Sequence, residues 1–424
     1  MIDIFIPYGE KRMHFSLPEK NIAEILTPNK VIISSSEREE IKNAISNPIG
    51  TKKLEEIVRP ENNVVILCED ISRFAHTDKM LFLLLNSLNQ AGISDKNILI
   101  IMALGSHRPM TRNEMLNKVG EKIFSRVQVV NSEFKDKRKL IDMGFAPGGV
   151  RVWADRRVVQ ADVKIGVGSI VPHAGFGYTG GGKIIYPGVV GEETVAQLHL
   201  HSTLLGRNIL GDPDNLARKE IEEWVSTVGL DFILNAIVTP ENKAYKIVAG
   251  HHVKAHRKGV NYAREIYGIK TKEKVDVAVV SSHTADRDFW QATKGFATGD
   301  LIVKNGGSVI LVSPCFEGIG PHSSFIHYVG SDNFEELLND AIRGDVPSDE
   351  ALPLAIGAFN ARFRKRIRLI LVSESITREQ AKEAKIEYFT TLNEALQSVF
   401  YIYGKNLRIS VIPYGGDSYP YFTN

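Results

Sequence analysis

The stretch HAGFGYTGGGKIIYPG, residues 173–188, sets a histidine and a lysine around a run of glycines. Gly177 to Lys183 has the G-x-x-x-x-G-K spacing of a phosphate-cradling loop, and Gly175 to Gly180 has the overlapping G-x-G-x-x-G of a dinucleotide fingerprint. The first chemistry needs a hydroxyl after the lysine to hold Mg²⁺, and position 184 is Ile. Both need a helix whose N-terminal amides face the phosphates, whereas IIYPG reads as a β-like stretch broken by Pro187. A plain surface loop, its glycines serving only to turn the chain, is the alternative. Against that stand His173, Lys183, and His199 and His201 on the helix that follows. Helical residues two apart point about 200° apart, so no more than one of His199 and His201 can face a given site.

Three further stretches carry polar chemistry. Asp70-Ile71-Ser72-Arg73 follows the apolar run NVVILCE, and Gly105-Ser106-His107-Arg108-Pro109 follows NILIIMAL, both at the mouth expected of a parallel sheet. Arg73 could grip a carboxylate or phosphate through a bidentate fork, although a helix cap beside a solvated arginine explains the composition equally well. His107 sits in a loop at a strand end, where catalytic groups concentrate. Asp288 to Phe296, DFWQATKGF, brings together Trp290, Gln291 and Lys294, a set suited to a small anion; the plain alternative is a core Trp290 with an exposed Lys294.

The elements that must position these groups alternate between short β-branched runs and longer amphipathic segments. Strands are expected at 63–70, 97–105, 161–170, 231–239 and 245–251, with helices at 77–92, 111–119, 191–204, 213–228 and 252–267. Thr111 and Glu114 form a capping box. The N-terminus reads as a strand with a turn, and charged 268–276 as a linker. The pattern then restarts, with strands at 275–282, 307–314, 366–374 and 407–413 and helices near 296–305, 333–343, 350–363, 377–385 and 391–402. The expectation is an α/β chain of two α/β domains with mainly parallel sheets, 1–268 and a smaller 269–424, and an active-site cleft between them.

Composition bounds the function. A chain of 424 residues with 43% hydrophobic and 24% charged content supports two globular cores. A net charge of +2, with no Lys/Arg run, argues against a nucleic-acid partner. Cys68 and Cys315 are far apart and make neither a disulfide framework nor a thiolate metal site. No signal peptide and no long apolar run are visible, so a cytoplasmic location without membrane contact is expected.

Taken in order, YGEK, DISR, GSHRP, PHAGFGYTGGGKIIYPG, HLH and WQATKG resemble the nickel-dependent lactate racemase family and its 2-hydroxyacid racemase relatives over nearly the whole chain. The resemblance implies a nickel-pincer nucleotide, made by separate maturation proteins and joined to Lys183 as a thioamide, with His199 as the protein ligand to nickel. It implies acid/base roles for His107 and His173, and cofactor contacts from Asp70, Ile71, Ser72, Arg73 and Pro187. The small 2-hydroxycarboxylate would meet Arg73, Trp290, Gln291 and Lys294. Trp290 stands where the family pattern carries tyrosine, which removes a hydroxyl from that place. The implied reaction interconverts D- and L-lactate, with malate-like or longer hydroxyacids as alternative substrates and a nucleotide-phosphate enzyme as the more distant reading. The chemistry is coherent: removing the C2 hydrogen as a proton would make a dianion, whereas hydride removal with loss of the hydroxyl proton leaves a 2-keto acid such as pyruvate.

Overall fold

The computed structural model describes residues 1–73 and 75–423. Two six-stranded sheets organise the chain. In the first, the strands run in the order Ala244–Gly250, Phe232–Val238, Val163–Ser169, Val64–Glu69, Ile98–Ala103, Gln128–Asn131, all parallel except Ala244–Gly250. The second is entirely parallel, in the order Glu387–Phe389, Arg368–Val372, Val303–Val312, Val275–Ser281, Ile409–Ile412, Ile22–Ile25. Val64–Glu69 and Val163–Ser169 are buried at every residue, which explains their unbroken apolar reading: both faces are covered by helices.

Each sheet has a point where successive connections depart in opposite directions, the place where parallel sheets open a crevice beyond their strand ends. In the first it lies between Val64–Glu69 and Val163–Ser169, so Asp70 to Arg73 and Ile170 to His173 emerge side by side. In the second it lies between Val275–Ser281 and Ile409–Ile412, and the segment leaving Ser281 leads to Gln291 and Lys294. The two halves are joined by the helices Glu192–Leu204 and Ser348–Arg366, which pack together in one shared core. Thr203 Oγ1 donates to the Ala355 carbonyl at 3.0 Å and Arg362 donates to the Thr203 carbonyl at 2.9 Å.

Several expectations need correcting. The first unit was expected to start at residue 1, but the hairpin of Ile2–Tyr8 and Lys11–Leu17 packs with the second sheet's core, and Ile22–Ile25 is that sheet's edge strand. The charged 268–276 segment is not a free linker: Gly268–Thr271 pairs in parallel with Tyr419–Phe422. The helix expected over 296–305 is Lys294–Asp300, and the next strand already begins at Val303. IIYPG is not β-like: a one-turn 3₁₀ helix, Gly181–Ile184, runs into successive turns. The helix Glu37–Ser46 was missed although Ser36 and Glu39 form a capping box. Among the described residues, no helix is long and apolar enough to cross a membrane.

Candidate active site

One cleft between the halves is lined by Asp70, Ser72, Arg73, His107, His173, Lys183, Pro187, His199, Trp290, Gln291 and Lys294. Eleven of the twelve residues singled out in the sequence therefore meet at one place. Ile71 is the exception: its side chain packs against the core under the first sheet and borders a neighbouring cavity.

Asp70 and His107 come from adjacent parallel strands. His107 Nδ1 donates to Asp70 Oδ2 at 2.6 Å, while Ser72 N–H and Oγ donate to Oδ1 at 3.0 and 2.5 Å. Burial alone would raise the Asp70 carboxyl, but His107, Ser72 and Arg73 outweigh it and hold it well below the usual carboxylate range. The turn is fixed from beneath by Lys118, which donates to the Arg73 carbonyl at 2.6 Å and lies 3.4 Å from Glu69 Oε1. Glu69 Oε2 in turn accepts from Ser169 N–H and Oγ at 2.7 and 2.8 Å, tying together the two strand ends at the crevice.

The glycine loop is clamped by buried side chains. Arg218, fully buried, donates to the carbonyls of Phe176, Tyr178 and Gly180, and His256 Nε2 donates to the Thr179 carbonyl at 2.9 Å. Gly181 N–H donates to Asn235 Oδ1 at 2.9 Å. Gly177 is irreplaceable on geometry: at φ +73° a Cβ would lie 1.9 Å from the Asp212 carbonyl oxygen. The clamp presents Lys183, His173 and His199 around the buried Phe176 ring, with Lys183 Nζ 5.6 Å from its centroid, His173 stacked at 5.6 Å and His199 edge-on at 5.2 Å.

These three groups share a cationic, enclosed setting. Burial, then Arg73 and Arg218, push the Lys183 ammonium down to about 7, and among the described residues no carboxylate pairs with it. Burial, with Lys183, Lys294 and Arg73, moves His173 well below its ordinary value; its Nδ1 accepts the Gly175 N–H at 3.1 Å, so the neutral ring carries its hydrogen on Nε2. His199 is the reverse. Its Nδ1 donates to the Val195 carbonyl at 2.9 Å, leaving the Nε2 lone pair free, and burial pushes it down to about 4. An imidazole held by a backbone carbonyl and kept unprotonated is the form that binds metal. No cluster of three His, Cys, Asp or Glu able to hold a metal exists among the described residues, so a metal here would bring its remaining ligands with it. His201 faces elsewhere, with Nδ1 3.3 Å from the Glu220 carboxylate.

The second half closes the cleft. Asp288 caps the helix Phe289–Ala292 by accepting the Gln291 N–H at 2.7 Å, and Lys294 follows. Trp290 packs its ring against His322 at 4.9 Å and Phe325 at 5.1 Å. Ile356, Phe359 and Asn360 of the helix Ser348–Arg366 also line the cleft, and Asn360 Oδ1 is buried with no donor among the described residues. Sequence reading missed these three, as well as Arg218 and Lys118. The one usable signal was a lone Asn inside the apolar run AIGAFNA; Arg218 and Lys118 read as ordinary charges on helix surfaces.

A two-domain α/β enzyme with a cation-rich interdomain cleft is the class that fold and site define. The family model of the lactate racemase N-terminal domain matches residues 8–209, and that of the C-terminal domain matches 270–417. The lactate racemase of Thermoanaerobacterium thermosaccharolyticum is 29% identical over 98% of both chains, and that of Lactiplantibacillus plantarum is 26% identical over 98% of this chain and 99% of its own. The solved lactate racemase apoprotein of T. thermosaccharolyticum superposes with a TM-score of 0.87 at 28% identity, covering 99% of this chain and all of its own. A Thermotoga maritima protein shares the fold, with a TM-score of 0.72 at 19% identity over 93% of this chain and all of its own. The chain belongs to the lactate racemase family and is an isomerase of the racemase type.

Proposed function

We propose that the chain interconverts D- and L-lactate, using a nickel-pincer nucleotide held covalently through Lys183 and ligated by His199. The observation that carries this is the convergence in one cleft of an uncharged-prone, unpaired lysine, a neutral histidine with a free Nε2, and two further histidines. Bound there, the nucleotide supplies reversible acceptance of hydride from the substrate's C2. The residues of the chain supply the rest.

His107, with its hydrogen on Nδ1 and Asp70 behind it, takes the hydroxyl proton at Nε2 from one enantiomer. His173, across the cleft, serves the other; its Nε2 carries the ring hydrogen at rest, so taking the hydroxyl proton there requires that hydrogen to move to Nδ1 and the bond from the Gly175 amide to be given up. Arg73 and Lys294 hold the carboxylate and the oxygen on C2, and a 2-keto acid, pyruvate, remains bound between the two half-reactions. The first-sheet unit binds the cofactor, and the second, enlarged by residues 1–26, contributes the substrate side.

A small monocarboxylate suits the cleft better than a malate-like acid. With Lys183 engaged, Arg73 and Lys294 are the remaining lysine or arginine side chains among the described lining residues, and Ile356 and Phe359 give an apolar wall. A second carboxylate would have no cation of its own and would meet the Asn360 oxygen. The P-loop reading has no support: Lys183 opens no α-helix, and Ile184 packs where a Cβ on Gly166 would sit.

The test is to produce the chain with and without the maturation proteins, measure intact mass and nickel content, and assay racemisation over a panel of hydroxyacids. Active, nickel-free protein with an unmodified Lys183 would overturn the proposal. Faster turnover of malate than of lactate would overturn the substrate assignment alone.

A further inference from the structure

A second cavity, of about 630 Å³, shares Ser106 and His107 with the cleft. Arg108, Lys135, Arg138, Lys139, Arg156 and Arg157 line it, against the single carboxylate of Glu133 among its described lining residues, and Pro321 and His322 complete it from the second half. Six cations gathered at one place stand out on a chain whose net charge is +2. The fold builds this arrangement. Glu133 Oε1 accepts the N–H groups of Phe134, Lys135 and Asp136 at 3.0, 3.0 and 3.1 Å, so the loop curls around its own carboxylate. Asp155 accepts the N–H groups of Arg157 at 3.0 Å and Glu133 at 2.8 Å, which ties the two cation-bearing segments together.

The protein satisfies only part of this charge. Arg108 is held by Glu114 and Glu317, Arg157 by Asp155 and Arg138 by Asp136, and Lys139 stands 3.2 Å from Glu133. Lys135 and Arg156 have no carboxylate partner among the described residues: Lys135 Nζ lies 5.6 Å from the Phe134 ring centroid, and Arg156 donates to the Arg138 carbonyl at 3.1 Å. Cavities that enclose small-molecule ligands run from roughly 300 to 1,000 Å³, so the space suits an occupant larger than lactate. Four of the six cations are guanidiniums, whose fork matches the paired oxygens of phosphate or carboxylate. A concavity lined by one sign of charge concentrates ions of the other, and most strongly those with several charges. We propose that this cavity is a binding site for a small multivalent oxyanion, a phosphate or polycarboxylate, anchored by Lys135 and Arg156. Such an occupant lies where the halves meet. His322 Nε2 donates to the Ser106 carbonyl at 3.1 Å, and Arg108 bridges Glu114 of the first half to Glu317 of the second. An anion here competes with Glu317 for Arg108 and reaches the wall that carries His107, so its binding slows the reaction in the cleft.

The test titrates full-length protein, cofactor-free and cofactor-loaded, with pyrophosphate and with citrate by calorimetry. At least one should bind, and the double variant Lys135→Gln, Arg156→Gln should bind it about ten-fold more weakly, the effect of losing two exposed charge contacts. Tighter binding of pyrophosphate assigns the site to phosphates, and tighter binding of citrate to polycarboxylates. Arg138→Gln, at a side chain 90% exposed and so without consequence for folding, should weaken binding at wild-type Tm. No binding of either anion would overturn the site. Equal weakening in Lys52→Gln, Lys405→Gln, which removes the same charge from exposed positions outside the cavity, would overturn it as well. Unchanged binding in the Lys135, Arg156 variant would place the anion in the cleft, with the same result for the proposal. Racemisation of lactate by loaded protein should be inhibited by the anion in wild type and spared in the double variant. Inhibition that persists in the double variant, or is absent from wild type, would overturn the coupling to the cleft. That arm alone rests on the reading that His107 acts on a 2-hydroxycarboxylate: loaded protein that binds the anion but racemises no lactate would overturn that reading and leave the anion site standing.

Discussion

Lys183 and Asp70 face one cleft with shifts that run in the same direction for different reasons. For Lys183 the folded value of about 7 lies below the ordinary one, so between pH 7 and about 10 the unfolded chain binds more protons and stability rises with pH. Lys183→Met in cofactor-free protein should therefore raise Tm at pH 7, with the gain shrinking as pH approaches 10; a gain that grows with pH would contradict the assigned environment. The same lowering leaves Lys183 partly uncharged at pH 7.5, and peptide mapping after brief acylation should find it modified ahead of the exposed lysines. Asp70 is lowered by His107, Ser72 and Arg73, so its contribution to stability is present above about pH 4 and is lost as pH falls further. Asp70→Asn removes the acceptor that sets the His107 tautomer, and kcat should fall by roughly 10²- to 10⁴-fold with a smaller change in KM. The motifs DISR, GSHRP and WQATKG were legible as chemistry because their residue types are unusual at strand ends. Ile71 shares the first motif yet packs into the core, since neighbouring residues in a turn face different surroundings.

At the level of elements, the glycine loop depends on two helices remote from it in sequence. Arg218 satisfies three loop carbonyls from inside the protein with no carboxylate partner among the described residues, and burial pushes its guanidinium down to about 10. Arg218→Met should strand those carbonyls and cost about 2–5 kcal/mol in chemical denaturation, with hydrogen exchange accelerating at 176–181 and unchanged in Val64–Glu69. Gly177→Ala should be at least as damaging, since it combines a positive φ with overlap on the Asp212 carbonyl. A variant that kept wild-type Tm would show that the loop re-forms without the clamp. The helix Arg112–Val119 and its capping box were legible because caps are local. The extent of Val303–Val312 was not, because its early residues read as part of the preceding helical pattern, and Val303 is drawn into the strand by pairing with Val275.

For the whole molecule, the two acid/base candidates are unequal. His107 has Asp70 to accept a second ring proton's charge, whereas His173 would have to give up the Gly175 amide and face Lys183, Lys294 and Arg73. Enantiomers have equal free energy, so kcat/KM for D- and L-lactate must coincide at every pH, and the inequality can appear only in kcat and KM taken separately. Initial rates in both directions across pH should show kcat curves that diverge toward acid while the kcat/KM curves overlay. Superposed kcat curves would mean that the two histidines are equivalent in the loaded enzyme. Because the chain of hydrogen bonds from Asp70 through His107 and Gln291 to Lys294 links the two halves, the cofactor-free chain should unfold cooperatively and remain inactive, as checked by calorimetry beside the racemisation assay.

The sequence by itself determined the alternation of strands and helices, the two α/β units, and the residues able to do chemistry, because hydrophobic period, caps and strand-end motifs are written in short stretches of chain. The tertiary structure alone decided that Ile22–Ile25 completes the second sheet, that Lys118 and Arg218 support the cleft from behind, that Ile356, Phe359 and Asn360 wall it, and that Gln291 bridges His107 to Lys294. Each of these is a meeting of residues distant along the chain, and what a charged or amide side chain does is set by the partner it meets once both halves have packed.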